Sequence, residues 1–418
     1  MENRKRIQIS LDYIEQQLRA ELRVEELAEL AGYSVSHYSH LFRKATGMSV
    51  GHYILRRRLL HAGYAISQGN SGIDTALAFG FDTYAGLYRA FVREFGSTPT
   101  EYLQSGRGKK PWRVELITEE PIMTHKEAAR VLRHWNLEPE HLGDVLVEST
   151  GAQRENLVQV GENYFLKRTN DQTKLENSLA LSKALAERGI LSPVPVPTTA
   201  GEEFYTEGEY RYTLTERLPG RSVTAPELLK QENARGEGIA IAGLHRVLAE
   251  LDDVMEEEDL LHTLKDWAVP AAREALGLSR EWCEAYLAEL EGLWPELPRQ
   301  IIHRDLCPGN LIRNGEMWGF LDFELSQRNI RIYDVVYAAG AVLSEIFHDH
   351  RQRWLDSWKG LMEGYAPTEA ERKAAPLVLL GSQLVCVAWF AGKEKHRELF
   401  EINRQMTLWI LEHIKELR

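Results

Sequence analysis

Apolar positions recur at helical spacing through residues 1–104, and no run there is rich enough in β-branched residues to suggest a strand. Within this stretch the pattern repeats itself. Leu27-Ala28-Glu29-Leu30-Ala31-Gly32-Tyr33 matches Thr75-Ala76-Leu77-Ala78-Phe79-Gly80-Phe81 at an offset of 48. Phe42, Lys44 and Gly47 match Phe91, Arg93 and Gly96 at an offset of 49. Each copy predicts a short helix with a buried Ala, a turn at Gly, and a second helix ending in Phe-x-(Lys/Arg)-x-x-Gly. The small Ala lets the two helices approach, and Gly adopts a turn conformation that a Cβ resists. The second helices are expected over 34–46 and 83–95, joined by a long helix from Val50 to Ser67.

After the polar, basic stretch Ser105-Gly106-Arg107-Gly108-Lys109-Lys110-Pro111, which reads as a linker, the pattern changes. Thr124-His125-Lys126-Glu127 predicts a capping box opening a helix. Strands follow over 144–148, 156–160 and 164–167, then a helix over 174–188. A Pro-rich stretch (193–197) precedes a hairpin that turns at Glu207-Gly208. From Pro219 onward the chain reads as mostly helical, apart from short paired strands around Leu311-Ile312 and Phe320-Leu321. A small β-rich lobe is thus expected ahead of a large α-rich one.

At 418 residues the chain exceeds one core, since a domain takes roughly 150 residues. The net charge of −12 hides an asymmetry: residues 1–113 carry 16 Lys+Arg against 11 Asp+Glu, and the remainder 34 against 51. A basic first quarter on an acidic protein calls for a partner-specific explanation, because a nucleic-acid polyanion would be repelled by the rest, and the motifs have to decide. Cys283, Cys307 and Cys386 are scattered without a metal-ligand spacing, which argues against a disulfide framework or zinc site and favours a reducing compartment. The N-terminal ten residues lack the apolar core of a signal peptide. The apolar stretch 374–392 is broken by Pro376, Gly381, Ser382 and Gln383 and predicts a buried helix rather than a membrane span. The expected location is cytoplasmic, with no membrane partner.

The chemistry concentrates in Ile301-Ile302-His303-Arg304-Asp305-Leu306-Cys307-Pro308-Gly309-Asn310, followed by Gly319-Phe320-Leu321-Asp322-Phe323-Glu324. A loop Asp, an Asn five residues on, and a second Asp after an apolar strand is a layout suited to phosphoryl transfer. Asp305 would receive the proton of an acceptor hydroxyl, while Asn310 and Asp322 offer hard oxygens to Mg2+ on the phosphates of ATP. His303 is expected to brace the loop rather than to perform chemistry. Cys307, and Asp322-Phe323-Glu324 with only eleven residues before Asp334, disfavour a peptide acceptor and point to a small molecule.

Residues 1–104 resemble the AraC/XylS-type DNA-binding domain. The resemblance rests on Leu27-Ala28, Ser36 to Lys44, Arg58-Leu59 with Ala62, Gly80-Phe81, Phe91, and Gly96-Ser97-Thr98-Pro99-Thr100-Glu101-Tyr102. It implies an all-α domain with two helix-turn-helix units on double-stranded DNA, read by Ser36, His37 and His40 and by Thr83, Tyr84 and Arg89. Thr75 stands where an aliphatic residue is usual. Gly86 falls inside the second reading helix, at a cost of about 1 kcal/mol relative to Ala, so that reader is expected to be the looser one. Arg56, Arg57 and Arg58 on the connecting helix are open to phosphate contact or to structural pairing.

Residues from about 120 to 418 resemble the aminoglycoside phosphotransferase-like kinases, a group that includes choline and homoserine kinases. The implied fold is α+β, bilobal and protein-kinase-like, with a linker over 105–118, an N-lobe over 119–218 and a C-lobe over 219–418. It also implies that Lys167 reaches the ATP phosphates and that the hinge Thr215-Glu216-Arg217-Leu218 holds adenine through the backbone of Glu216 and Leu218. Glu176 is either the ion-pair partner of Lys167 or part of a capping box with Thr173. Ser149-Thr150-Gly151-Ala152 matches only the position of a phosphate-covering hairpin. The acidic run Glu256-Glu257-Glu258-Asp259 reads as a solvated helix face or as a site for a cationic amine. The expected whole is a DNA-binding regulator carrying a small-molecule phosphotransferase. A kinase-like domain that only senses a ligand, or a kinase whose helical domain is only a scaffold, stays open.

Overall fold

The computed structural model describes residues 2–46, 48–104, 111, 122–138, 141–146, 153–251, 255, 257–392 and 397–418. They form two compact units, Met1–Asp171 with Pro195–Arg217 and Gln172–Val194 with Leu218–Arg418.

The first unit opens with α1 (Glu2–Gln16), α2 (Val24–Leu30), α3 (Val35–Thr46), α4 (Val50–Ser67), α5 (Gly72–Ala78), α6 (Tyr84–Phe95) and α7 (Pro99–Gln104). The sequence repeat becomes a repeat of cores. Leu27, Ala28, Phe42 and Tyr53 bury one, and Leu59, Ala76, Leu87, Phe91 and Tyr102 the other. Gly32 and Gly80 turn the chain at φ +72° and +79°, the left-handed region that a Cβ disfavours. The helix α4 has 18 residues, about 27 Å of rise. Its arginines serve the interior. Arg56 pairs with Glu94 and Arg57 with Glu15, while Arg58 donates to the carbonyls of Leu18 (2.9 Å) and Ala20 (2.7 Å). The phosphate role left open for Arg56 and Arg57 is therefore corrected: both are buried ion-pair partners.

Next comes α8 (His125–Val131), whose N-cap Thr124 accepts from the Glu127 amide at 3.1 Å. The expected capping box is only half made. The Glu127 carboxylate accepts instead from Arg168 (2.8 Å) and the Tyr212 hydroxyl (2.7 Å), because a guanidinium 1% exposed requires a charged partner. The strands β1 (Leu142–Leu146), β2 (Gln153–Val160), β3 (Tyr164–Thr169), β4 (Tyr205–Glu207) and β5 (Tyr210–Glu216) form an antiparallel sheet ordered β1-β2-β3-β5-β4. Val158, Leu166 and Leu214 pack with Val131, Leu132 and Trp135. The stretch 149–152 lies outside the described residues, as does most of the 105–118 linker.

The second unit starts with α9 (Gln172–Glu187), which begins ahead of Thr173. Thr173 therefore makes no cap, and Glu176 accepts from Gln172 Nε2 at 2.7 Å. Then follow β6 (Arg221–Ser222), α10 (Ala225–Leu228), α11 (Gln231–Leu248), α12 (Leu260–Thr263), α13 (Val269–Leu276), α14 (Arg280–Leu293), β7 (Arg299–Ile302), β8 (Leu311–Asn314), β9 (Met317–Phe320), β10 (Gln327–Ile330), α15 (Ile332–Tyr365), α16 (Glu369–Phe390) and α17 (Arg397–His413). The central loop, 303–310, joins two small sheets, β10-β7 and β6-β8-β9. Glu257, Glu258 and Asp259 of the acidic run are not helical. Glu257 bridges to Arg328, Glu257 and Asp259 pair with Arg299, and Glu258 pairs with Arg304 at 2.8 Å. Among the described residues, α16 is the one helix long and apolar enough to cross a membrane, and 61% of its most apolar stretch is buried within this unit.

Candidate active site and DNA-reading face

The strand β7 ends in the fully buried Ile301 and Ile302 and delivers His303, itself 0% exposed, into the central loop. Asp334, in the first turn of α15 and also 0% exposed, clamps that loop. It accepts from the amides of His303 (2.8 Å) and Arg304 (2.7 Å) and from His245 Nε2 (3.0 Å). A buried carboxylate with three donors is a stable anchor, because its charge is met on each side. The anchor holds Arg304 at φ +72°, a strained value for a residue with a Cβ. His303 Nε2 donates to the Leu321 carbonyl at 2.8 Å, its Nδ1 accepts from the Asp305 amide at 3.3 Å, and its ring lies against Phe323. These contacts fit the bracing role expected of it.

The loop presents Asp305 with both carboxylate oxygens held. Oδ1 accepts from the Tyr337 hydroxyl at 2.9 Å, and Oδ2 accepts from Asn310 Nδ2 at 3.0 Å. The same Nδ2 donates to the Asp305 carbonyl at 2.9 Å, so the amide group of Asn310 is oriented with its oxygen turned away from Asp305. Asp322 follows β9 at φ +65°. Its neighbour Leu321 is tied through its amide to the Asn310 carbonyl (2.9 Å) and through its own carbonyl to His303. Asp305, Asn310 and Asp322, separated by up to 17 positions in sequence, thus hang on one hydrogen-bonded frame. Burial, with the charge of Asp305 adding to it, pushes the Cys307 thiol up to about 11, so this cysteine stays protonated and is no rival nucleophile.

The remaining expected site residues fall on both units. Lys167 sits on β3 between Leu157 and Thr213, on the face opposite Leu166, and Glu216 closes β5 opposite Tyr164. These two belong to the first unit, Glu176 and Leu218 to the second. Three residues of the central loop's frame were not singled out from sequence: Asp334 as anchor, His245 beneath it, and Tyr337 on Asp305. They come from α11 and α15, and no local spacing links them to the loop.

On the first unit, Ser36, His37 and His40 lie exposed along α3, with Arg43 and Lys44 continuing the face. Arg89 is exposed on α6. Thr83 and Tyr84 stand at the start of α6, with Thr83 exposed. The Thr83 hydroxyl caps α6 by accepting from Gly86 N at 3.1 Å, and the Tyr84 ring packs over Gly72 against the second core. Tyr88 is 39% exposed beside Arg89. Gly86 proves to be the third residue of α6, held by the cap, so the interior-glycine penalty expected for it does not apply.

Two classes of protein meet in one chain, a helix-turn-helix regulator and a phosphotransferase. Residues 27–105 match the helix-turn-helix domain family. Residues 148–374 match the phosphotransferase enzyme family, and the chain belongs to that family. Over the first part it is 31% identical across 99 residues to the probable transcription factor PqrA of Proteus vulgaris, which covers 23% of this chain and 81% of that protein. Over the second it is 30% identical across 220 residues to the homoserine kinase of Phenylobacterium zucineum, which covers 49% of this chain. The chain spans 65% of that kinase's length. Among solved structures it resembles amicoumacin kinase hAmiN, with a TM-score of 0.52 and 17% identity over 70% of this chain and 92% of that one. The microcompartment-associated aminopropanol kinase gives 0.51 and 20% over 70% and 99%. At these identities the likeness shows the bilobal kinase-like fold. The first hundred residues are thus a helix-turn-helix domain, joined to a phosphotransferase domain.

Proposed function

We propose that this chain is a transcription regulator whose second domain, divided from the first by a linker over 105–118 and into lobes near 218, transfers the terminal phosphoryl group of ATP to a hydroxyl of a small molecule. The observation that carries this reading is Asp305, fixed through both carboxylate oxygens on a loop clamped from below by Asp334. Asp305 orients the acceptor hydroxyl and takes its proton as the oxygen attacks the γ-phosphorus and ADP leaves. The amide oxygen of Asn310 and the carboxylate of Asp322 are hard donors fitted to Mg2+, which, when bound, offsets the charge on the phosphates. Lys167 is assigned to the phosphates and the backbone of Glu216 and Leu218 to adenine.

A small acceptor is favoured by the chain after Asp322. It is drawn at once into β10, which pairs with β7 from Gln327↔Ile302 to Ile330↔Arg299, and runs directly into α15. Little chain is left to cradle a peptide. The DNA partner is assigned to the faces of α3 and α6, and a soluble cytoplasmic setting suits both activities.

The test is ATP turnover by the full chain against a panel of hydroxylated small molecules. Asp305→Ala should lower kcat by about 10²–10⁴-fold with Mg–ATP affinity within a few-fold, since the base touches the acceptor. Asp322→Ala should weaken Mg–ATP binding itself. A wild-type chain that binds no ATP in the presence of Mg2+ refutes the reading.

A further inference from the structure

We infer that Tyr337 is the positioning residue of the phosphotransfer site, the group that fixes the rotation of the Asp305 carboxylate toward the acceptor. This rests on the phosphotransfer reading above and adds to it a residue outside the Asp–Asn–Asp layout. A carboxylate turns about its last side-chain torsion in a broad, roughly two-fold well. One hydrogen bond leaves that rotation loose; two donors on different oxygens stop it. Asn310 supplies the first, 3.0 Å from Oδ2, and Tyr337 the second, 2.9 Å from Oδ1.

The placement of Tyr337 follows from the helix that bears it. Asp334 and Tyr337 stand three positions apart on α15, hence on one face. The same helical turn therefore holds the loop backbone through Asp334 and the tip of the base through Tyr337. The ring cannot swing freely, since it is half buried and lies against the Tyr333 ring at 6.0 Å between centroids and 23° between planes. Burial, with the charge of Asp305 adding to it, pushes the Tyr337 hydroxyl far up, so it remains a donor across the neutral range. Tyr337 touches Asp305 and needs no contact with the reacting atoms, so its role is exerted through the base.

The experiment compares wild type, Tyr337→Phe, Asp305→Asn and the double variant in the full chain, with kcat and KM for ATP and acceptor and the thermal midpoint of each. Tyr337→Phe keeps the ring and its stacking and removes one oxygen. The expected result is a fall in kcat of about 10–100-fold, in keeping with the cost of a misplaced catalytic group. Both KM values should stay within about twofold, with an unchanged midpoint. In the Asp305→Asn background the same change should cost less than about twofold, because the group it positions is gone. An unchanged kcat in Tyr337→Phe overturns the assignment. So does a loss carried by KM, or a kcat loss that persists undiminished in the Asp305→Asn background, either of which marks Tyr337 as structural. If wild type and Asp305→Asn are equally silent with every acceptor, the phosphotransfer reading itself fails and the role of Tyr337 falls with it. That result is distinct from an active wild type with an active Tyr337→Phe, which removes Tyr337 alone.

Discussion

Glu237 on α11 is the carboxyl group whose ionisation the fold should resist most visibly. Its side chain is 2% exposed and its Oε1 has no hydrogen-bond partner. The cause is the crossing of α11 on α15, which is made through glycines. A Cβ at Gly238 would meet the Leu361 carbonyl oxygen at 2.3 Å, and one at Gly360 the Gln231 oxygen at 2.4 Å. Burial pushes the Glu237 carboxyl up from 4.5 to about 8. The folded chain thus keeps the proton while the unfolded chain gives it up above pH 4.5. Stability contributed by this position is complete below that pH and declines as pH rises toward 8. At pH 7 the gap is roughly 2.5 pH units, or ~3 kcal/mol at about 1.4 kcal/mol per unit.

Glu237→Gln keeps the shape and abolishes the titration. Its stability relative to wild type should rise by ~3 kcal/mol between pH 4.5 and pH 7, on top of a pH-independent offset from the buried amide. Urea unfolding followed by tryptophan emission reads this, since eight of the ten tryptophans lie in the second unit. With a slope of about 1–3 kcal/mol per M, the midpoint difference should change by about 1 M or more across that range. A difference that stays flat from pH 4.5 to 8 would refute the reasoning, because it would show that Glu237 finds a partner or water when charged.

In the first unit, Thr75 is 3% exposed with an unpartnered hydroxyl, so Thr75→Val should raise stability by ~1 kcal/mol; a lower midpoint for the first transition in calorimetry of the full chain would contradict this. Operator affinity of the full chain should fall steeply with salt, as expected when basic groups displace counterions. Arg89→Ala should cost about 1–3 kcal/mol at one half-site only, and uniform weakening over all sequences in a binding-site selection would move Arg89 from base to phosphate.

The elements that sequence disclosed are those whose cause is local. Gly32 and Gly80 mark turns because only the local φ matters, and the helix Val50–Ser67 was legible from end to end. The loop and hairpin that carry Asp305, Asn310 and Asp322 were legible because they are contiguous in sequence. What stayed hidden depends on partners far along the chain. Glu127 had the spacing of a capping box, yet Arg168 and Tyr212 took its carboxylate. Arg56 and Arg57 had the look of phosphate ligands, yet Glu94 and Glu15, about 40 residues away, claimed them. Charge and spacing name the candidates; long-range pairing decides among their roles.

That long-range pairing also bears on why the two activities share a chain. A packed route runs inside the first unit. Leu146, the last residue of β1, packs against the core of the first helix-turn-helix, and the charge of Asp144 on the same strand acts on Arg56 of α4. The strand β1 is the edge of the sheet that carries Lys167 on β3. If nucleotide binding orders this sheet, the order reaches the DNA-reading helices through packed side chains. Coupling of this kind is commonly ~1–3 kcal/mol and is reciprocal. A non-hydrolysable ATP analogue with Mg2+ should therefore change operator affinity by about 5–150-fold, and saturating operator should change analogue affinity by the same factor. Leu146→Ser should shrink both effects together while leaving each ligand's own binding in place. Equal operator affinity in wild type with and without the analogue would show that the chain tethers two independent activities, since a ligand with no preference between two states shifts neither.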